Sequence, residues 1–322
     1  MENSAIEQTR EQQAQPAATD RKGGVLVLDK PEGLTSARVA SKVKWLLKPR
    51  KIGHTGTLDP FATGVLVLCL NEATRAADQI TGLSKVYLST MRFGVETDTL
   101  DKTGTVVRES DHRFSEEDLL QVLPSFQGKC VQKVPRYSAV KVEGRRLYEL
   151  SRKGIEVDQP EREICIHSIA LRSFEWPEAV LEVSCSKGTY IRQLASDIGQ
   201  KLGSGAHLSA LRRVSVGPFH LDQALDLDEL SAAVDDSKPI AERIIPLNEA
   251  LSHLPAVAAG ETHVLERLRN GQLDQEWENR HKESFAAHSG AVRIVTKSDG
   301  LAALWWPNSS ADGSRRLRVF PF

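Results

Sequence analysis

The sequence predicts an α+β fold with a mixed or antiparallel sheet, followed by a small β-rich C-terminal domain. Three observations carry this. The chain has 322 residues, enough for about two domains that each bury a core. Strand-like and helical stretches follow one another without the βαβ rhythm of a doubly wound parallel sheet. Near Asp235 to Pro246 the composition shifts. Beyond that point come short apolar runs, "AVRIVTK", "LAALWW" and "LRVFPF", with Gly, Asn and Ser between them.

The N-terminal "MENSAIEQTREQQAQPAATDRKGG" is polar and Gln-rich. It lacks the apolar core of a secretory signal and reads as a disordered tail over residues 1–22. Val25 to Leu28 is a short buried strand, and Asp29, Lys30, Pro31 and Gly33 make a turn. Thr35 or Ser36 can then cap a helix that runs to about Leu47. "GHTGTLDPFATG" is a loop, and the apolar run Gly64 to Leu70 follows it. "ATRAADQI" looks helical, "KVYLSTMRFGV" has strand composition, and "TDTLDKTGTV" reads as a turn between strands. "SEEDLLQVLPSF" has a Ser cap, early acids and helical spacing. Val180 to Cys185 alternates as a strand does, and Lys187 and Gly188 break it. Thr189 to Arg192 is a short re-entry, and a helix extends to about Leu202, closed by Gly203. "HLSALRRVSVGPFHL" is strand-rich. There is no internal repeat.

Composition excludes several classes. No apolar run approaches the ~20 residues of a membrane helix, so no membrane partner is expected. The four cysteines, Cys69, Cys130, Cys165 and Cys185, form no CxxC pair and no zinc-ligand spacing. Cys69 and Cys185 lie in apolar runs and read as buried free thiols, which fits a reduced, cytoplasmic setting. Net charge is −1, but it is unevenly spread. "KVKWLLKPRK" (Lys42 to Lys51) carries only positive charge, and Lys129 to Lys153 is strongly basic with Tyr137 and Tyr148 interleaved. Such faces can bind phosphates through local potential, although charge runs also serve simply to solvate surfaces.

"GHTGTLDPFATGVL" (Gly53 to Leu66) places one carboxylate, Asp59, in a loop rich in glycine and threonine. It is no P-loop, because no Lys follows the glycines. His54 and Asp59 lack a third ligand nearby, so no metal site is expected. No Gly-x-Ser-x-Gly elbow supports a serine triad. A carboxylate acting alone as nucleophile or base remains. Local composition by itself reads Asp59–Pro60 as a turn.

The rest of the chain decides between these. "GHTGTLDPFATGVL" resembles the signature of the TruB family of tRNA pseudouridine-55 synthases, and "VLVLDKPEGLTS" resembles the family's opening motif. "PRYSAVKVEGRRLYELSRKGIEV", "CSKGTYIRQLASDIG" and "AHLSALRRVSVGPF" resemble later motifs, in the family's order. Together they span residues of about 24 to 220. The resemblance implies a pseudouridine-synthase catalytic domain over 23–245 with a thumb-like insertion at about 127–157. It also implies a PUA-like RNA-binding domain over 246–322.

It further implies isomerisation of uridine 55 in the tRNA T-loop, with no cofactor. Asp59 falls on the catalytic aspartate. A carboxylate ionised at neutral pH suits attack on C6 of uracil, attack on C1′, or removal of the 2′ proton. Arg192 is its implied partner, favouring the charged form. Tyr190 is implied to pack on the base, with a possible share in handling the C5 proton; an unassisted phenolate is costly at neutral pH. Tyr87 and Leu211 are implied to contact the target uracil. His54 is implied to fill the space of a flipped base. Lys30 is implied to support the active site or an RNA phosphate. The partner implied is the T-stem loop of tRNA, bound by a monomer without guide RNA. The alternatives are a guide-RNA-dependent, dyskerin-like subunit, and an RNA-binding or tRNA-folding protein with incidental catalysis.

Overall fold

The structure is a computed structural model that describes residues 23–142, 144–155, 157–235, 240–298, 300–308 and 317–322. The expected tail, residues 1–22, lies outside the described residues.

The described residues open with strand β1 (Gly24–Lys30), whose residues are almost all buried, and helix α1 (Ser36–Leu47). Thr35, rather than Ser36, caps α1 by accepting from the Arg38 N–H. Short strand β2 (Ile52–His54) leads into the signature loop, and β3 (Thr63–Leu70) leaves it. Strand β4 (Lys85–Phe93) alternates buried and partly exposed residues, as a sheet with one wetter face requires. A hairpin, β5 (Val95–Thr97) and β6 (Val106–Glu109), carries the turn expected at "TDTLDKTGTV". Helix α2 (Glu116–Val122) has the expected Ser115 cap, completed as a capping box by Asp118.

Strand β7 (Gly128–Lys133) begins the insertion, which includes the small hairpin β8 (Lys141–Val142) and β9 (Arg145–Arg146). Long strands β10 (Glu161–Glu175) and β11 (Glu178–Cys185) follow. Helix α3 (Ile191–Lys201) comes next, then β12 (Ala206–Val216) and β13 (Phe219–His220). Arg192 therefore stands in the first turn of α3, not in a separate re-entrant segment. Helix α4 (Leu227–Asp235) and strand β14 (Ile245–Pro246) complete this part.

The large sheet runs β14-β1-β3-β12-β4-β11-β10-β7, with β2 beside β3 and β13 beside β12. Its pairings are antiparallel except for β3 with β12, where Thr63 and Gly64 lie opposite Arg212 and Arg213. This one exception makes the sheet mixed, and it positions the site. Strand β1 covers one edge of β3 along its whole length, so β2 and β12 must share the other edge. Strand β2 pairs with Leu68 to Leu70 and β12 with Thr63 and Gly64. The signature loop crosses the gap where they part.

Gly64 is required at this junction. Its φ is +102°, and an added Cβ would lie 2.2 Å from the Arg213 carbonyl oxygen.

All three C-terminal apolar runs are strands of one four-stranded sheet. These are β16 (Val292–Val295), β17 (Leu301–Trp305) and β18 (Leu317–Val319), with β15 (Ala256–Ala258) added. Two helices, α5 (Thr262–Arg269) and α6 (Gln275–Lys282), were not foreseen. Trp277 of α6 packs on Trp305 in the core of this unit. Leu301, Leu304 and Phe320 also share a core with Val25, Val27 and Val65 of the large sheet. The cysteines are all free thiols, with Cys69 and Cys185 buried. Among the described residues no helix is long and apolar enough to cross a membrane.

Candidate active site

Asp59 is held in place by the elements on both sides of it. The Ser36 hydroxyl, at the start of α1, accepts from the Leu58 N–H at 2.8 Å and donates to the Leu58 carbonyl at 3.2 Å. On the other side, Lys30 at the end of β1 donates to the Pro31, Leu34 and Pro60 carbonyls at 2.8, 2.6 and 3.3 Å. Asp59 thus projects from a loop whose backbone is fixed at both neighbours. Leu58 and Phe61 anchor it in the same apolar cluster as Tyr87 and Leu211.

The carboxylate meets Arg192. Arg192 Nε donates to Asp59 Oδ2 at 2.9 Å, and a terminal guanidinium nitrogen approaches Oδ1 at 3.4 Å. The Arg192 side chain is only 4% exposed, whereas that of Asp59 is 35% exposed. The guanidinium therefore reaches the carboxylate from inside the protein and leaves its other side open.

The remaining Arg192 donors go to the Thr99 carbonyl at 2.7 Å and the Tyr137 carbonyl at 2.9 Å. One planar fork ties together the signature loop, the β5–β6 turn and the insertion. A second carboxylate, Asp101, lies 3.7 Å from Arg192 Nε. It is buried and accepts from the Thr99 and Thr103 hydroxyls and the Thr103 N–H.

Tyr190 stands immediately before α3. Gln132 of β7 grips its backbone twice, accepting from the N–H at 2.8 Å and donating to the carbonyl at 3.0 Å. Arg162, directly opposite Gln132 on β10, places its guanidinium 5.6 Å from the Tyr190 ring centre. The implied aspartate, arginine and tyrosine are therefore brought to the start of one helix, with the tyrosine ring under Arg162.

Arg213 organises the far side of the loop. It is buried and donates to the Val65 carbonyl at 2.7 Å and the Gly56 carbonyl at 3.1 Å. Burial raises the Tyr87 phenol above its ordinary value, and the charge of Arg213 opposes the rise. Burial, and then the charge of Arg213, hold His54 below its ordinary value, so its ring is neutral at pH 7. His54 Nδ1 is buried with no hydrogen-bond partner among the described residues. Leu211, two residues before Arg213 on β12, is buried against the same apolar cluster.

Lys30 was expected either to support the site or to meet an RNA phosphate. Its side chain is 0% exposed and its ammonium is turned onto the backbone carbonyls of Pro31, Leu34 and Pro60. Burial lowers its pKa to about 8, partly opposed by the charge of Asp59. In the unfolded chain the amine keeps its proton to about 10.5. The unfolded state therefore binds more protons than the folded state between these values, and stability rises with pH across that window. In urea unfolding from pH 8 to 10.5, Lys30→Met is expected to flatten part of this rise. Lys85, also lowered to about 8 by burial, supplies another part of the rise, and an unchanged pH slope would show that Lys30 supplies none of it.

Asp101, Arg213, Ser36, Gln132 and Arg162 were not identified as site residues from sequence. A basic residue at a strand position that folds inward was the one available signal, in "ALRR". Asp101 looked like an ordinary turn acid. Among the described residues no group of three or more His, Cys, Asp or Glu is arranged to hold a metal ion.

The family model described as TruB family pseudouridylate synthase (N terminal domain) matches residues 44–191. The model for the tRNA pseudouridylate synthase B C-terminal domain matches 192–252. A tRNA pseudouridine synthase B of Syntrophobacter fumaroxidans is 55% identical over 92% of this chain and 97% of that protein. The chain belongs to the TruB family.

A second relative with the same name, from Geobacter sulfurreducens, is 41% identical over 92% of this chain and 99% of its own length. Among solved structures, a Cbf5-Nop10-Gar1 complex matches with a TM-score of 0.67 at 28% identity, covering 88% of this chain and 78% of that one. An H/ACA RNP bound to a substrate RNA containing 2′-deoxyuridine matches with a TM-score of 0.65 at 26% identity, covering 88% and 77%. The fold is thus shared with a chain of a Cbf5-Nop10-Gar1 complex and a chain of an H/ACA RNP, while the higher identity is to proteins named tRNA pseudouridine synthase B. The two family models meet at residues 191 and 192. The Asp59–Arg192 pair joins them.

Proposed function

We propose that this chain isomerises uridine 55 in the T-loop of tRNA to pseudouridine, acting without guide RNA and without a cofactor. The observation that carries the reading is the half-open Asp59 carboxylate, oriented from behind by the buried Arg192 fork. An anion held in a fixed position beside an open face is what attack on C6, attack on C1′ or removal of the 2′ proton each requires. The bond from C1′ to N1 breaks, the base turns, the bond from C1′ to C5 forms, the C5 proton leaves, and N1 gains a proton. No atom is gained or lost overall.

The base must leave the RNA stack to reach Asp59, at a cost of a few kcal/mol. The neutral His54 ring is assigned to the space it vacates. Tyr87 and Leu211 are assigned to the uracil pocket, and Tyr190 to packing on the base. The insertion, about 127–157, is assigned to gripping the T-stem through its Lys, Arg and Tyr side chains. We assign residues 23–245 to the catalytic domain and 246–322 to a PUA-like RNA-binding domain. A cytoplasmic monomer fits a tRNA-modifying enzyme of this kind.

Identity of 41% and 55% over most of the chain to proteins named tRNA pseudouridine synthase B, against 26–28% to the guide-complex structures, supports the guide-free reading. The purified protein, incubated alone with unmodified tRNA transcript, is expected to place pseudouridine at position 55. An inactive protein that gains activity only with added guide RNA would overturn this. Affinity for tRNA is expected to fall steeply with salt, because Lys and Arg release counterions from phosphates on binding. A flat titration from 50 to about 200 mM salt would remove the electrostatic role of the insertion.

A further inference from the structure

Helix α1 carries a surface that the site does not use. Its inner face, with Val39, Ala40 and Val43, is buried against β1 and β3. Its outer face exposes Arg38, Lys42, Lys44 and Trp45, with Lys48 just beyond its end. Trp45 is 77% exposed. Lys42 stands about one turn before it on the same helical face, and Lys48, the left-handed C-cap residue, follows it by three residues. No acidic residue occurs between Thr35 and Lys51.

Among the described residues, the one ion pair made by this segment's basic side chains is Arg50 with Glu72, at 2.5 Å. The cations beside Trp45 have no carboxylate partner there. A core role does not explain so exposed an indole, and an ion-pair network does not explain the lysines around it. A flat aromatic ring between unpaired cations is the arrangement that binds single-stranded nucleic acid. The ring stacks on a base and the cations meet the flanking phosphates.

The other end of the same helix reaches the active-site loop. The same helix begins at Ser36, which bonds Leu58 next to Asp59. At 1.5 Å per residue, Trp45 lies about 14 Å along the helix from Ser36, too far to touch the reacting nucleotide.

We propose that the outer face of α1 is a second RNA contact, in which Trp45 stacks on an unpaired base of the tRNA and Lys42 and Lys48 hold neighbouring phosphates. The inference rests on tRNA being the substrate. It places one recognition element outside both the catalytic pocket and the insertion.

The test combines binding and fluorescence on the full chain. Trp45→Ala and the double variant Lys42→Glu, Lys48→Glu are each expected to weaken tRNA binding about ten-fold, the scale of one base stack. Turnover at saturating tRNA should stay at the wild-type value, which also shows that the variants fold. Of the five tryptophans, Trp277 and Trp305 are buried, Trp176 and Trp306 are half-buried and Trp45 is 77% exposed, so the Trp45 component of acrylamide quenching is the difference between wild type and Trp45→Phe. Added tRNA should protect that component, and Trp45→Phe should lack it. Wild-type binding of tRNA with undiminished binding by the variants would overturn this inference alone. So would anionic phospholipid vesicles binding the wild type through Trp45 while tRNA affinity is unmoved by its loss. A wild-type protein that does not bind tRNA would overturn the inference together with the reading it rests on.

Discussion

Arg192→Met is expected to lower single-turnover pseudouridine formation by about 10²–10³-fold, the scale seen when one preorganised electrostatic partner is removed from an active site. The change removes more than a charge beside Asp59. It leaves the Thr99 and Tyr137 carbonyls without their donors and leaves buried Asp101 without its nearby cation. Removing one member of a buried pair costs about 3–5 kcal/mol, so urea unfolding should show a loss of stability as well. Arg192→Lys restores charge but not the fork, because one ammonium cannot reach Asp59 and both carbonyls in that planar geometry. It should recover part of the stability and little of the rate. A methionine variant within ten-fold of wild-type rate would show that the guanidinium does not organise the carboxylate.

The second large effect is expected at Gly64. Gly64→Ala must place a methyl group 2.2 Å from the Arg213 carbonyl oxygen and 2.8 Å from its nitrogen, on a residue with φ of +102°. Both obstacles are backbone, so no side chain can turn aside to admit it. Left-handed strain costs about 1–3 kcal/mol and overpacking about 1–3 more, for a loss of roughly 2–6 kcal/mol. Activity should fall with it, because the β3–β12 junction closes the loop that carries Asp59. Gly53→Ala, in the same motif, is the control. Nothing lies within 4 Å of its added Cβ, and its effect should be under about 1 kcal/mol. Equal urea midpoints for Gly64→Ala and wild type would refute the close-approach reading.

Much of this was legible in the sequence. The alternation in β4 and β11, the Ser115 cap and the three C-terminal strands follow from periodicity and turn chemistry. The partnership of Asp59 and Arg192, 133 residues apart, came from resemblance, since no local pattern relates them. What escaped was the support around them. Asp101 sits among threonines and a glycine that read as a turn, and its burial depends on how that turn folds against Leu208 of β12 and Arg192. Arg213 looked like one of two basic strand residues. Only the parting of β2 from β12 along β3 turns it inward onto Gly56 and Val65. Helices α5 and α6 were hidden by polar sequences whose stability comes from packing Val264, Leu268 and Trp277 on the small sheet.

Asp59→Asn keeps the size of the side chain and removes its charge. The most direct test measures that variant against wild type on full-length tRNA, with binding and pseudouridine at position 55 read on the same samples. The expected result is tRNA affinity within a few-fold of wild type and no detectable pseudouridine. Pseudouridine formation by Asp59→Asn at a rate comparable to wild type would contradict the assignment of this carboxylate as the reacting group.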